Sequence, residues 1–128
     1  MGNGTSIGRV RGLGSAHHGP HHWLVQRFTA IGNLVLMSWL LASFVLLGDF
    51  GHASVVEWLS QPLTATAMIL LVISLFWHAR LGLQVVLEDY IHDGGSKFAL
   101  IALLNLATIG GGAFAIFSVA ALAFGGQA

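Results

Sequence analysis

The sequence predicts an all-α membrane protein with three transmembrane helices, and three observations point to this fold. Hydrophobic residues make up 55% of the 128-residue chain and charged residues only 8%, whereas a soluble domain carries about 25% charged residues. The mean hydropathy is +0.80. Three runs contain no charged residue, 28–48, 58–79 and 98–128. Because about 20 apolar residues in a helix cross the hydrocarbon core of a bilayer, each run is long enough to span.

Helices are predicted at 24–47, 63–90 and 98–124, preceded by an N-terminal cytoplasmic segment, 1–23. The anchor domain then covers 24–128. Gly48, Asp49 and Gly51 predict a turn after the first helix, and Pro62 suits the first turn of the second. The residues 92–96 predict a tight connection into the third helix. Strands are disfavoured, because the runs lack alternation and three segments cannot close a barrel.

The positive charges predict the orientation of the spans. Arg9, Arg11 and Arg27 lie in or near the N-terminal segment, whereas Arg80 and Lys97 lie toward the second connection. Lys and Arg are enriched on the cytoplasmic side of membrane proteins. The N-terminus and the second connection are therefore predicted to be cytoplasmic, and the C-terminus periplasmic.

Charge balance and cysteine content exclude several functions. Five Lys and Arg balance five Asp and Glu, so no basic field is available to bind nucleic acid. The chain has no Cys, which excludes disulfides, thiolate metal sites and Cys-ligated iron–sulfur clusters.

The third predicted helix is rich in small residues. Small side chains let membrane helices approach closely. The packing could lie within this chain, or against another subunit, which is the favoured interpretation. The residues concerned are Gly110, Gly111, Gly112, Ala113, Ala115 and Ser118.

One histidine, His78, lies within an apolar span, and polar groups inside a membrane are expensive. Helical spacing places Ser74, Gly82 and Asp89 on the same face as His78, with Asp89 at a rise of about 16 Å. A neutral imidazole with a glycine one turn away suits axial ligation of a haem. A buried histidine bonded to a neighbouring helix and a proton relay remain open alternatives. A second axial ligand would have to come from another chain.

Three further polar residues each have more than one interpretation. Arg27 could neutralise a haem propionate or pair with Asp89, or it could serve as a topology signal at the interface. Arg80 either extends its head to the cytoplasmic face or is compensated by an acid or propionate. Tyr90 is either an amphipathic anchor at the interface or a hydrogen-bond donor to a quinone carbonyl, with Asp89 orienting a neighbouring cation.

Four histidines flank Gly19 and Pro20, namely His17, His18, His21 and His22. They could bind a metal, but no carboxylate or Cys is nearby to complete a site. The favoured interpretation is a polar entry to the first helix that contacts a cytoplasmic partner.

Two segments carry a resemblance to a known family. The first is His78-Ala-Arg-Leu-Gly82, followed after six residues by Asp89-Tyr90; the second is Gln26-Arg27-Phe-Thr29-Ala30. Together with the segment 8–15, they resemble the hydrophobic membrane anchor of succinate dehydrogenase (respiratory complex II), of the alphaproteobacterial type. The likeness covers the opening segment and the first two helices. The run of histidines at 17–22 departs from the family.

The resemblance implies a role in electron transport and the tricarboxylic acid cycle at the bacterial inner membrane. A pair of small anchor subunits would hold one haem b between them, with His78 as one axial ligand and Gly82 packing against the haem. Arg27 would lie near the propionates, and Tyr90 and Asp89 would belong to the ubiquinone site. The flavoprotein and iron–sulfur subunits would carry out succinate oxidation, so this chain would be non-catalytic.

Two other functions are compatible with the sequence. One is a small structural or pore-forming membrane protein without a redox role, because the third helix suits self-association. The other is an anchor of the fumarate reductase type, which would run electrons in the opposite direction.

Overall fold

The computed structural model describes residues 19–125, which fold into four helices joined by short connections. These helices are α1 (Gly19–Leu47), α2 (His52–Ser60), α3 (Pro62–Tyr90) and α4 (Gly94–Gly125). Within residues 19–125 there is no strand, and three helices are long and apolar enough to cross a membrane. The predicted all-α fold with three spans is confirmed. The orientation of the termini and the division at residue 23 stay predictions.

The first span is longer than predicted and ends at a glycine. α1 begins at Gly19 rather than near residue 24, because Pro20 fits the first turn of a helix, where its missing N–H costs nothing. It ends before Gly48, whose φ of +69° lies in the left-handed region. Glycine adopts this conformation without strain and commonly terminates helices.

The first connection contains a helix, α2, that the sequence did not predict. Asp49 organises the entry to it, since its carboxylate accepts hydrogen bonds from the Gly51 N–H (3.0 Å) and the Ser54 hydroxyl (2.6 Å). These bonds, the one from Ser54 first, hold the pKa of Asp49 below its ordinary value. Leu59 of α2 is buried. The predicted turn therefore covers only the residues 48–51.

An aromatic cluster attaches α2 to the end of α1. Trp58 stacks on Trp39, with ring centroids 5.8 Å apart, and lies 5.7 Å from Phe44. Phe44 also makes an edge contact with Phe50. Such aromatic pairs contribute beyond the area they bury, so α2 packs against the spans.

The second connection is shorter than predicted, because α4 begins at Gly94 rather than near residue 98. The side-chain carboxylate of Asp93 accepts a hydrogen bond from the Ser96 N–H (2.7 Å). The backbone carbonyl of Asp93 accepts one from the Lys97 N–H (2.9 Å). Asp93 thus caps α4, and the Ser96 backbone bond lowers its pKa. Lys97 Nζ also donates to the Glu88 carbonyl (3.1 Å), which ties the start of α4 to the end of α3.

α3 is the central helix and packs against both α1 and α4. The buried residues are few, and they lie on α2, α3 and α4: Leu59, Thr64, Ala65, Leu71, Leu81, Gly112 and Ala123. Most large apolar side chains of the spans are exposed. In a membrane they face lipid or other subunits, because lipid tails are as apolar as these side chains.

The small residues of α4 serve packing inside this chain at two positions. A Cβ added at Gly111 would lie 2.9 Å from Phe76 Cε1, and one at Gly112 would lie 3.6 Å from Phe76 Cγ. These two glycines thus contact Phe76 of α3, while packing of the small residues against another subunit stays a prediction. A Cβ at Gly110 would meet nothing within 4 Å among the described residues, so that position is open.

Gly111→Leu is expected to destabilise the packing of α3 on α4. The added side chain would overlap the Phe76 ring, and overpacking of this kind costs about 1–3 kcal/mol. Gly110→Leu is the matched control, because it adds the same side chain to an open position. Thermal unfolding in detergent should show a lower midpoint for Gly111→Leu alone. Equal midpoints for the two variants would contradict the packing described here.

Candidate functional site

A groove between α1 and α3 contains His78, the histidine inside a span. Its volume is about 760 Å³. We call it the α1–α3 groove. It is lined by His22, Trp23, Gln26, Arg27, Ala30, His78, Gly82, Gln84, Val85 and Glu88. The predicted site residues His78, Gly82 and Arg27 are thus brought together.

The imidazole of His78 is held by α1. Its Nδ1 lies 3.0 Å from Thr29 Oγ1, in a half-buried contact between the two helices. Thr29 Oγ1 also lies 2.9 Å from the Val25 carbonyl and 3.1 Å from the Gln26 carbonyl of its own helix. A hydroxyl has one proton to donate and two lone pairs that accept. The hydroxyl proton therefore has two carbonyl acceptors in its own helix, and the oxygen can accept a hydrogen bond from an imidazole that carries its proton on Nδ1.

This arrangement is compatible with the tautomer of His78 that carries its proton on Nδ1, and in that tautomer Nε2 bears the lone pair. No described residue donates a hydrogen bond to Nε2. A neutral imidazole with one nitrogen engaged and the other available is the form that binds a metal.

Ser74 strengthens the same interface one turn away from His78. Its hydroxyl donates to the Thr29 carbonyl at 3.2 Å. A Cβ added at Gly32 of α1 would lie 3.2 Å from Ser74 Oγ, so a small residue at Gly32 lets the helices approach. Ser74 and His78 therefore both face α1, as the predicted polar stripe requires.

Gly82 leaves space in the groove that this chain does not fill. A Cβ added there would meet only Gln26 Nε2, at 3.6 Å, which is an ordinary contact. Packing within the chain therefore does not require glycine at this position. Beside it, Gln26 Oε1 is buried without a hydrogen-bond partner in the described part of the chain. Buried polar atoms are rarely left unpaired, so the groove is incomplete on its own.

Arg27 lines the same groove and is exposed. Its guanidinium lies over the Trp23 ring, 5.3 Å from the centroid, a cation–π contact that leaves its N–H groups available. Glu88, rather than the predicted Asp89, is the acid of α3 that lines the groove. Glu88 accepts a hydrogen bond from Gln84 at 2.8 Å.

Tyr90 and Asp89 lie apart from the groove, at the last turn of α3. Both are exposed, and Tyr90 shows 77% of its surface. Neither lines the α1–α3 groove. The structure therefore separates the predicted site residues into the groove and the end of α3.

Arg80 has a partner that the sequence did not predict. Its Nε donates to Asn105 Oδ1 of α4, and its guanidinium lies 5.5 Å from the Trp77 ring. Arg80 lies about 200° round the helix from His78, so it faces away from the groove. A neutral amide, instead of an acid or a propionate, provides its hydrogen-bond partner in the described residues.

The histidine cluster is only partly described. His17 and His18 lie outside the described residues, and His21 and His22 lie in the first turn of α1. In the range 19–125, no three residues of His, Cys, Asp and Glu gather as a metal site would require. A partner contact of the cluster stays a prediction.

Sequence reasoning gave Thr29, Gln26 and Asn105 no role. All three are polar residues inside or near apolar spans. Because a polar side chain is costly inside a membrane, their positions could have marked them as residues that contact a polar partner. Thr29 and Gln26 stand in the segment that carried the family resemblance.

Comparison with known proteins identifies the family. The family model for the succinate dehydrogenase/fumarate reductase transmembrane subunit matches residues 1–112. A succinate dehydrogenase hydrophobic membrane anchor subunit from Rickettsia bellii is 39% identical over 106 residues, which cover 82% of this chain and 84% of that protein. The corresponding protein from Rickettsia conorii is 34% identical over 107 residues, again 82% and 84%.

A more distant relative and the solved structures complete the comparison. A succinate dehydrogenase membrane anchor subunit from Reclinomonas americana is 29% identical over 94 residues, 71% of this chain and 78% of that protein. No solved structure matches the chain. With three apolar spans and this likeness, the chain is a multi-pass protein of the bacterial inner membrane. The chain belongs to the succinate dehydrogenase/fumarate reductase transmembrane subunit family, as a membrane anchor.

Proposed function

We propose that this anchor shares a b-type haem with a second membrane anchor subunit and contributes to a ubiquinone site. His78 Nε2 would be one axial ligand, and the partner would supply the other. The observation that carries the proposal is the 3.0 Å contact between His78 Nδ1 and Thr29 Oγ1, because it engages one ring nitrogen and leaves Nε2 available to iron.

The residues of the α1–α3 groove fit a haem in three ways. The imidazole is oriented by its contact with Thr29; Gly82 keeps the wall one turn away free of a side chain; and the volume of about 760 Å³ is that of a cofactor site. A bound b-type haem supplies a centre that takes up and releases one electron. The groove is open, which suits a cofactor that a second protein also covers.

Two residues of α1 suit the carboxylates of a haem. Arg27 is a charged donor on the groove wall, and guanidinium groups bind carboxylates well. Gln26 is the second, since its side chain lines the groove and its amide NH₂ is a donor. An amide can rotate to direct its NH₂ toward an acceptor. The polar end of the groove would thus neutralise and orient the propionates.

The end of α3 suits contact with a quinone. Tyr90 is exposed, and its hydroxyl can donate a hydrogen bond to a carbonyl. Asp89 beside it is exposed as well and can orient a neighbouring cation. Neither side chain has a partner in the described residues, as expected of groups that bind something outside this chain.

The chain is a non-catalytic subunit of succinate dehydrogenase, and it works in a complex within the membrane. Its proposed neighbours are the second membrane anchor, the iron–sulfur protein and the flavoprotein. The exposed apolar surface of α1 and α4 supports contact with a further membrane protein or with lipid. Its contribution to electron transfer would be to position and tune the bound groups.

The relatives favour succinate oxidation over the two alternatives. The family model covers succinate dehydrogenases and fumarate reductases alike, but the curated relatives are named as succinate dehydrogenase anchors. A non-redox structural or pore-forming protein does not agree with these relatives.

Isolation of the complex tests the proposed function. The tagged chain would be extracted gently from its native membrane, and the preparation examined by gel electrophoresis, flavin content and a reduced-minus-oxidised spectrum. We expect a second small hydrophobic protein, the two larger soluble proteins and a b-type absorption. A preparation that contains the soluble proteins but no haem would contradict the haem assignment. A colourless chain without partners would contradict the whole proposal.

A further inference from the structure

We infer that Thr29 is a positioning residue that fixes the tautomer and ring orientation of His78 and tunes the iron bound there. This inference rests on the proposed function. It starts from a contact that joins two helices across 49 residues of sequence, the 3.0 Å approach of Thr29 Oγ1 to His78 Nδ1.

The other contacts of Thr29 favour one direction for this hydrogen bond. Its hydroxyl proton has two acceptors within its own helix, the carbonyls of Val25 and Gln26, at 2.9 and 3.1 Å. With the proton on one of these carbonyls, the oxygen accepts from the imidazole. In the proposed haem site Nε2 binds the iron, so Nδ1 carries the ring proton and donates it to Thr29.

The surroundings give the imidazole no other acceptor for this proton among the described residues. The contact lies in the half-buried interface of two apolar spans, where water cannot replace a lost partner. Ser74, the nearest polar residue on the same face, already donates to the Thr29 carbonyl. Among the described residues, Thr29 is therefore the hydrogen-bond partner that orients the imidazole.

The bond also has an electronic consequence. An acceptor on Nδ1–H makes the ligating nitrogen more basic, and loss of such a partner typically weakens metal binding by about 10- to 100-fold. A more basic ligand stabilises the oxidised iron more than the reduced iron. Removing the acceptor should therefore raise the midpoint potential of the haem.

Three variants at Thr29 and one control separate this role from simple packing. Thr29→Val keeps the shape and removes the acceptor, Thr29→Ser keeps the hydroxyl, and Thr29→Cys offers a weak acceptor of similar size. Ser74→Ala removes the other polar bond of this interface without touching the imidazole. The measurements on the purified complex are haem content per flavin, the midpoint potential and the low-spin electron paramagnetic resonance signal.

We expect a graded result across the four variants. Thr29→Val should lower haem occupancy by about tenfold or more or, where haem is retained, raise its potential. Thr29→Cys should raise the midpoint potential by an intermediate amount. If Thr29→Val yields no complex, the potential of Thr29→Cys tests the role of Thr29. Thr29→Ser and Ser74→Ala should match the wild type.

Two outcomes would overturn the inference, and they differ from failure of the proposed function. A wild-type potential and signal in Thr29→Val, or in Thr29→Cys when that variant decides, would reduce Thr29 to a packing residue while the haem assignment stood. If Ser74→Ala changed the haem content or the midpoint potential as much as Thr29→Val does, the effect would come from the α1–α3 interface in general. Absence of haem from the wild-type complex would instead refute the proposed function.

Discussion

Replacing His78 by alanine is expected to remove most of the b-type absorption of the assembled complex. The substitution deletes the proposed Nε2 ligand and also leaves the Thr29 hydroxyl without its partner. Because loss of an outer-shell contact alone weakens metal binding by about 10- to 100-fold, loss of the ligand should lower haem occupancy at least that much. The measurement is the reduced-minus-oxidised spectrum, normalised to flavin.

His92→Ala is the matched control for this experiment. His92 is an exposed residue of the connection between α3 and α4, so its removal should leave the haem spectrum unchanged. Flavin and protein content show whether each variant assembles. An assembled His78→Ala complex with the full wild-type spectrum would remove His78 from the ligand set.

Replacing Tyr90 by phenylalanine is expected to lower quinone reduction by about tenfold, the equivalent of one hydrogen bond worth about 1.4 kcal/mol. The ring remains, so only the donor hydroxyl is lost. Since Tyr90 is 77% exposed, the substitution should not disturb the packing of α3. The measurement is succinate-dependent reduction of a soluble ubiquinone analogue.

An artificial dye provides the control for Tyr90→Phe. A dye that accepts electrons from the soluble part of the complex bypasses the quinone site, so its reduction should stay at the wild-type rate. Equal loss of both activities would indicate misassembly and would leave the phenol without a role in quinone contact. Unchanged quinone reduction would argue that Tyr90 is only an interfacial anchor.

The three spans could be predicted from sequence because charge is so costly in lipid. The charge-free runs predict the number of membrane spans and their helical type, and α1, α3 and α4 follow these runs. The ends were harder to predict. Asp93 caps α4, so the two glycines that follow it belong to the helix and not to the predicted turn. Asp49 organises the start of α2 through side-chain hydrogen bonds, which the hydropathy of the sequence does not report.

The candidate site could be predicted only in part. Helical spacing placed His78 and Gly82 on one face, and both line the α1–α3 groove. The same spacing placed Asp89 on that face, but Glu88 lines the groove instead. A small error in the assumed rotation per residue accumulates over the eleven residues from His78 to Asp89. The predicted face was therefore least accurate at Asp89.

Contacts between helices were beyond reach of a single sequence. The partner of His78 is Thr29, and the partner of Arg80 is Asn105. Each pair depends on how two helices rotate and cross, which periodicity along one helix does not determine. For Arg80 the sequence left open an extension of its head to the cytoplasmic face or a pairing with an acid or propionate. The hydrogen bond to Asn105 depends on the packing of α3 on α4, which the sequence does not report.

The central claim is that His78 Nε2 is an axial ligand of a haem whose other ligand is a histidine of a partner protein. The most direct test changes the ligand without deleting it, in the variant His78→Met. Low-spin electron paramagnetic resonance and near-infrared magnetic circular dichroism distinguish bis-histidine from histidine–methionine ligation. We predict a bis-histidine signature in the wild type and, in haem-containing His78→Met, a histidine–methionine signature with a raised potential. A bis-histidine signature that persists in His78→Met would contradict the claim.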